Sequence, residues 1–281
     1  MKSTVVCLSF VLTCLTFTNV VVQAKDKLPL PKFSPLPEAQ YELSGIVGEY
    51  VDAVTHNWIL KMPDANPAVL EMFRDRDKKP YRRLLPWSGA FAGKYLIGAV
   101  QVHRLTQNPV LKDYIAKFVS KLVLFQAEDG YLGPFPPDNR LEGKPCWDNF
   151  GTWDVWGHYH IMVGLLLWYE DTGDKNARHC VEKIGDLLCR KFLNTGKRIV
   201  DTGSAEMNHA AIHSLGRLYQ LTRKRAYLDL ACQIIEEFQD QRAGDYVLLG
   251  LSGKEFYQSR KPRWESLHAI QGIAEMYWLT G

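Results

Sequence analysis

The sequence predicts an all-α fold, an (α/α)6 toroid of helical hairpins of which this chain supplies about four and a half. Three observations carry that prediction. Apolar helix-like runs end four times in near-copies of one phrase: His103-Arg104-Leu105-Thr106, Tyr169-Glu170-Asp171-Thr172-Gly173-Asp174, Tyr219-Gln220-Leu221-Thr222 and Tyr277-Trp278-Leu279-Thr280-Gly281. Their threonines stand 66, 50 and 58 residues apart (172−106, 222−172, 280−222), a period of stacked hairpins that cannot bury an apolar face alone. The runs ending at these marks are apolar nearly all round and carry internal glycines, whereas those that follow are amphipathic. Such alternation describes an inner ring of enclosed helices and an outer ring wet on one side.

Taken in order, residues 1–24 read as a secretory signal peptide. Lys2 is the only charge before Lys25, Val5 to Val22 is largely apolar, and Val22-Gln23-Ala24 offers a cleavage site. A secreted protein with no membrane contact after cleavage is expected. Residues 25–40 form a Pro-rich arm (Pro29, Pro31, Pro35, Pro37), predicted to be extended. Residues 41–281 then make the toroid domain. A first helix is predicted from about Ser44 to Leu60, and a long connection containing Pro63 and Pro67 runs to Pro86.

The predicted inner helices are Phe91 to Leu105, His158 to Tyr169, His209 to Leu221 and His268 to Leu279. Gly93, Gly98, Gly164, Gly216 and Gly272 lie inside them and permit close approach, despite about 1 kcal/mol of helix propensity each. Outer helices show stripes: Leu111, Tyr114, Ile115, Phe118 and Leu122 in one, Tyr227, Leu230, Ala231, Ile234 and Phe238 in another. Glu128 to Gly151 breaks the rhythm with turn chemistry (Asp129-Gly130, Gly133-Pro134, Pro136-Pro137). The fourth mark stands at the end of the sequence, so the ring is expected to be incomplete and to leave an apolar flank open.

A net charge of +3 without a dense basic stripe excludes nucleic acid as a partner; Asp75 and Asp77 interrupt the one cationic cluster, Arg74 to Arg83. Aromatics make up 12% of the residues, with eight tryptophans, and flat apolar faces of that kind suit sugar rings. Cys146, Cys180, Cys189 and Cys232 remain after signal removal, an even number that permits disulfides. Cys180 and Cys189 would lie on opposite faces of one helix, roughly 13 Å apart along its axis, and could not bridge each other. No Cys or His spacing suits a metal, so no metal is expected in this chain.

The marks also serve as a ruler. Trp87 and Trp153 each lie 19 residues before a mark (106−87, 172−153), and His160 and His268 each lie 12 before one (172−160, 280−268). Parallel inner helices bring such equivalent positions to one mouth. Trp87, Trp153, Asp154, His160, Glu206, Asn208 and His268 are therefore the candidate sugar-binding residues, at a concave rim where polar groups converge. The bland alternatives are N-caps for Ser88, Asp154, Ser204 and Ser266, and core packing for the tryptophans. The matched rung favours a ligand role for His160 and His268, while His103, His179 and His213 take the structural reading. Acid–base chemistry on a sugar needs facing carboxyl groups. Asp154, Glu206 and Glu265 are the rim carboxylates, and Glu206 is the catalytic candidate because it stands beside Asn208 and His209 rather than at a cap position. No nucleophile elbow or Ser-His-Asp order is present.

These phrases together resemble glycoside hydrolase family 127, the β-L-arabinofuranosidase family. The likeness lies in Trp87-Ser88-Gly89-Ala90-Phe91-Ala92-Gly93-Lys94-Tyr95-Leu96, in Gln126-Ala127-Glu128-Asp129-Gly130-Tyr131-Leu132-Gly133 and in the run from Trp153 to Gly164. Glu206-Met207-Asn208-His209 and Leu267-His268-Ala269 fall at two further signatures. The resemblance spans roughly residues 40–281 and corresponds to the N-terminal part of the catalytic barrel. It implies retaining hydrolysis of terminal arabinofuranosyl groups by a cysteine thiolate and a glutamate acid/base. It also implies zinc in the full-length family member, and substrate contacts from His160 and His268. Two departures stand out. His209 replaces the family's usual Glu, and none of the four cysteines falls at the family's nucleophile or zinc positions, which lie beyond residue 281. The chain alone is expected to be inactive. The rivals are another α/α-toroid sugar enzyme (an unsaturated glucuronyl hydrolase or a polysaccharide lyase) using Asp154 or Glu206, and a non-catalytic carbohydrate-binding relic.

Overall fold

The computed structural model describes residues 41–144 and 151–281, and every element among them is helical. The predicted signal peptide, the Pro-rich arm and Cys146 lie outside the described residues. Helix α1 (Gly45–Val54) runs on through a π-helical turn, Thr55–Ile59, over the span predicted for a first helix. The connection after it is not bare chain. Short helices α2 (Met62–Ala65) and α3 (Ala68–Arg74) form there, because Val69, Met72 and Phe73 fall at helical spacing and bury in the core. Pro63 and Pro67 stand at their starts, where a missing N–H is not needed.

There follow α4 (Ala90–Thr106), α5 (Pro109–Leu124), α6 (Asp154–Thr172), α7 (Lys175–Phe192), the single turn α8 (Ala205–Asn208), α9 (Ala211–Thr222), α10 (Arg225–Glu237), α11 (Tyr246–Leu251) and α12 (Trp264–Thr280). The four marks close α4, α6, α9 and α12 in the same way. Thr106, Thr172, Thr222 and Thr280 donate their hydroxyls to the carbonyl four residues back, at 2.8, 2.6, 2.8 and 2.8 Å. The next residue (Gln107, Gly173, Arg223, Gly281) is left-handed, and its N–H returns to the carbonyl of His103, Tyr169, Tyr219 or Tyr277. This left-handed cap satisfies carbonyls that the helix end would otherwise strand. At the first three marks the same hydroxyl also accepts the N–H two residues on, at the entry to the returning helix. Asn108 and Asp174 then cap α5 and α7 with side-chain oxygens. The repeated threonine thus ends one helix and starts the next turn.

Helices α4, α6, α9 and α12 pack successively side by side as the inner layer, and α5, α7 and α10 lie outside them. Helix α6 is enclosed up to its last turn, with every residue from Asp154 to Trp168 buried. The outer helices bury one stripe each: Leu111, Ile115, Phe118 and Leu122 on α5, and Tyr227, Leu230, Ala231 and Ile234 on α10. At the C-terminal rim Arg104 binds Asp171 at 2.8 Å and also reaches Glu170, which pairs with Arg217 of α9. The inner helices therefore run parallel, as the hairpin order requires. Helix α12 packs on α9 and leaves Leu267, Tyr277 and Trp278 exposed. Among the described residues no helix is long and apolar enough to cross a membrane.

Glycine decides how close the inner helices come. A Cβ at Gly93 would lie 2.3 Å from the His160 carbonyl carbon and 2.4 Å from the Ile161 nitrogen, and one at Gly272 would lie 2.7 Å from the His213 nitrogen. Gly98 does not share that role, since nothing lies within 4 Å of the place its Cβ would take. The close-approach reading is corrected there, because Gly98 faces away from the α4–α6 seam.

Candidate functional site

Twelve residues before their marks, His160 of α6 and His268 of α12 meet with ring centroids 5.3 Å apart. Both stand edge-on to Trp156, at 4.3 and 5.0 Å. Lys94 occupies the same rung of α4 (106−94), and its ammonium lies 4.6 Å from the Trp264 ring centre and 5.3 Å from that of Trp156. Lys94 shares the 12-residue index with the two histidines, so the same spacing in the sequence marks it. His213 also joins the group, against its structural reading. The Tyr159 hydroxyl lies 2.9 Å from Nδ1 of His268 and 3.2 Å from Nδ1 of His213. One hydroxyl carries one proton, so it donates to one ring and accepts from the other, and the two neutral imidazoles hold opposite tautomers.

The three rings are kept neutral mainly by burial. Burial, then Arg217 and His268, brings His213 down to about 4; burial, then Lys94, brings His268 down to about 4. Burial, then Lys94 and the neighbouring histidines, pushes His160 well below its ordinary value. Neither ring nitrogen of His160 has a hydrogen-bond partner among the described residues, although the residue is 3% exposed. Glu265, at the start of α12, favours the charge on Lys94 that burial opposes.

A hollow of about 710 Å³ is lined by Trp87, Trp153, Asp201, Ser204, Glu206, Arg242, Lys261 and Arg263 among others, and none of His160, His268, Lys94 or Trp156 stands in its wall. Trp87 and Trp153, matched by the 19-residue index, stand 5.1 Å apart with tilted rings. Glu206 is 4% exposed, bonded to Lys261 at 2.9 Å and paired with Arg263. Burial works against its charge, yet Lys261 and Arg263 prevail and hold the carboxyl below its usual range. Glu206 is therefore an ionised, paired carboxylate, ill suited to donating a proton. Lys261, Arg263, Arg242 and Asp201 were missed because they lie between helices, where neither mark nor period indexes them.

Two positions read from sequence as rim groups, Asn208 and Asp154, turn out to be internal brackets. Asn208 is fully buried and its amide is occupied. Its Oδ1 accepts the Trp156 N–H at 3.0 Å, and its Nδ2 donates to Thr202 and Gly203. Asp154 accepts the Tyr131 hydroxyl at 3.0 Å and the Leu141 N–H at 2.9 Å, and His158 accepts the Leu132 N–H at 3.1 Å. Together they staple residues 128–144, which are irregular as expected, onto α6. His209 lies 3.1 Å from Glu237, whose carboxylate also accepts the N–H groups of Ile199 and Val200 at the edge of the hollow. The N-cap reading fails as well: no side-chain capping bond is made by Ser88, Asp154, Ser204 or Ser266. Asp154→Ala should cost about 2–3 kcal/mol, since it strands two buried donors. Hydrogen exchange should quicken across residues 131–141 first, and unchanged protection there would show that the staple carries no load.

The thiols do not fit the zinc centre that the resemblance implies. Burial pushes Cys180 and Cys189 up to about 12, opposite to the depression a nucleophilic thiolate needs. Both sit unbridged on the unbroken α7, and Cys232 is also free. Among the described residues no group of three His, Cys, Asp or Glu could hold a metal ion.

Residues 49–281 match the family model described as Beta-L-arabinofuranosidase, GH127 catalytic domain. Among solved structures, the chain is similar to a GH127 β-L-arabinofuranosidase from Geobacillus stearothermophilus T6. The TM-score is 0.55 at 18% identity, over 76% of this chain and 34% of that one. It is also similar to another GH127 β-arabinofuranosidase, with a TM-score of 0.59 at 20% identity, over 83% of this chain and 38% of that one. The chain thus spans little more than a third of these structures, and at such identity the likeness is one of fold. None of the curated proteins compared matches it.

Proposed function

Because the chain belongs to the GH127 catalytic-domain family of the β-L-arabinofuranosidase type, we propose that it serves the hydrolysis of arabinofuranosyl linkages in a carbohydrate outside the cytosol. The described residues supply the sugar-binding part of that task. His160 and His268 offer neutral ring nitrogens to sugar hydroxyls, and Trp87 and Trp153 offer apolar faces. The observation that carries this reading is His160, a buried imidazole beside His268 with both nitrogens unpartnered among the described residues. Native interiors leave few buried polar atoms unpartnered, and a hydroxyl-rich ligand would satisfy these.

Acid–base chemistry through Glu206 or Asp154, as in a lyase or an unsaturated glucuronyl hydrolase, finds less support. The first is held as a paired carboxylate and the second is a staple inside the fold. Nor is a nucleophile offered by Cys180, Cys189 or Cys232, whose thiols burial pushes up.

The test is release of arabinose from an aryl β-L-arabinofuranoside by the full-length protein, with His160→Ala and His268→Ala beside it. Each variant should raise KM about tenfold to a hundredfold, through the loss of one or two sugar hydrogen bonds. An unchanged KM in both would remove the histidines from the sugar site. Failure to cleave any arabinofuranoside would remove the activity.

A further inference from the structure

We propose that the hollow lined by Trp87, Trp153 and Glu206 receives a carboxylate-bearing sugar, a uronic acid unit of the glycan, held by Lys261 and Arg263. This rests on the carbohydrate reading above and narrows it to acidic glycans.

The charges around the hollow separate into two groups. Arg242 and Arg198 both pair with Asp201 and Asp240, so two cations meet two carboxylates and balance. Lys261 and Arg263 share a single carboxylate, Glu206, among the described residues. One positive charge is therefore left over, and it is aimed outward. The Glu206 side chain is 5% exposed, whereas those of Arg263 and Lys261 are 40% and 61% exposed. The carboxylate sits behind and the two cations stand in front, toward the hollow. A monoanion placed there cancels the excess, and a neutral sugar does not.

Three further features point to a sugar acid. Arg263 holds Glu206 and the Met207 sulfur through one terminal nitrogen, and its side chain stays 40% exposed in the wall of the hollow. A guanidinium fork matches a planar carboxylate better than a tetrahedral group. The Trp87–Trp153 pair on the same wall supplies apolar faces for a sugar ring. Ser204, also in the wall, is a non-glycine residue held left-handed at φ 43°, ψ 43°, a conformation that gathers at binding sites because packing must enforce it.

The experiment is isothermal titration of the full-length protein with digalacturonate, with galactobiose, and with galactobiose carrying a 6-sulfate. Digalacturonate should bind at least tenfold more tightly than the neutral disaccharide at low salt, and the margin should shrink toward 0.5 M salt. Lys261→Met removes the excess charge and should bring the acidic sugar down to the neutral one's affinity. Because Lys261 is exposed, that variant keeps the core intact. Glu206→Gln should act in the opposite direction, by leaving both cations uncompensated and strengthening digalacturonate binding, which neither a catalytic nor a merely structural Glu206 would do. Equal affinity for neutral and acidic disaccharides overturns the proposal and leaves arabinofuranoside hydrolysis standing. Tighter binding of the sulfated sugar overturns the choice of carboxylate. If no sugar binds and no arabinofuranoside is cleaved, both readings fall.

Discussion

Gly93→Ala is expected to remove about 3 kcal/mol of stability, whereas Gly98→Ala, five residues along the same helix, should add about 0.5–1 kcal/mol. The opposite signs follow from what each new methyl would meet. At Gly93 it would lie 2.3 Å from one backbone atom of α6 and 2.4 Å from another. Neither can move alone, because α6 is buried from Asp154 to Trp168 and packed by α4, α7 and α9. The helices must part, and His160, whose own backbone is the obstacle, must move with them. Stability and the KM for arabinofuranosides should therefore worsen together. At Gly98 the methyl enters open space, so only the helix-propensity gain and the restricted unfolded chain remain. Urea unfolding of both variants is the check. A Gly93→Ala protein as stable as the parent would mean that the α4–α6 seam is looser than the distances say.

Acid should destabilise the protein between pH 6.5 and pH 4, before most carboxylates titrate. Unfolded histidine takes up a proton near its ordinary 6.5, whereas His213 and His268 in the fold do so only near 4, and His160 lies well below its ordinary value. In that window the unfolded chain binds more protons, so the histidine contribution is whole above 6.5 and is lost as the pH falls toward 4. For the buried His213 alone this amounts to about 3 kcal/mol. The groups facing these rings are cationic or neutral: Lys94 from α4, Arg217 and His213 from α9, and the Tyr159 hydroxyl. Glu265 acts on Lys94, and its influence on the histidines is indirect. Unfolding midpoints at pH 7.5 and 4.5 should differ markedly, and His213→Gln should shrink the difference. A flat profile over that range would show that these rings are solvated in the native protein.

Much of this was legible because its causes are short in sequence. A helix ending needs only the threonine hydroxyl, the carbonyl four residues back and one left-handed residue after it, all within six positions. That is why four marks, read as punctuation, mark four real endings. Equal distance along parallel helices from equivalent endings puts residues at equal height, so the index that matched His160 with His268 and Trp87 with Trp153 pairs rings that touch. Lys94 was open to the same count.

Other positions were illegible because their partners are remote. Asp154 reads as a rim group or a cap until Tyr131 and Leu141 arrive on it from the irregular segment. Asn208 reads as a sugar contact until the backbone of Trp156 takes its oxygen. Glu206 reads as an acid until Lys261 and Arg263, 55 and 57 residues away, fix its charge. Sequence alone therefore determined the helical marks, the inner and outer layering and the height of each side chain, since these follow from period and local hydrogen bonds. Tertiary structure alone decided which polar groups face the hollow and which are consumed inside, because desolvation and pairing depend on chain segments that no periodicity connects.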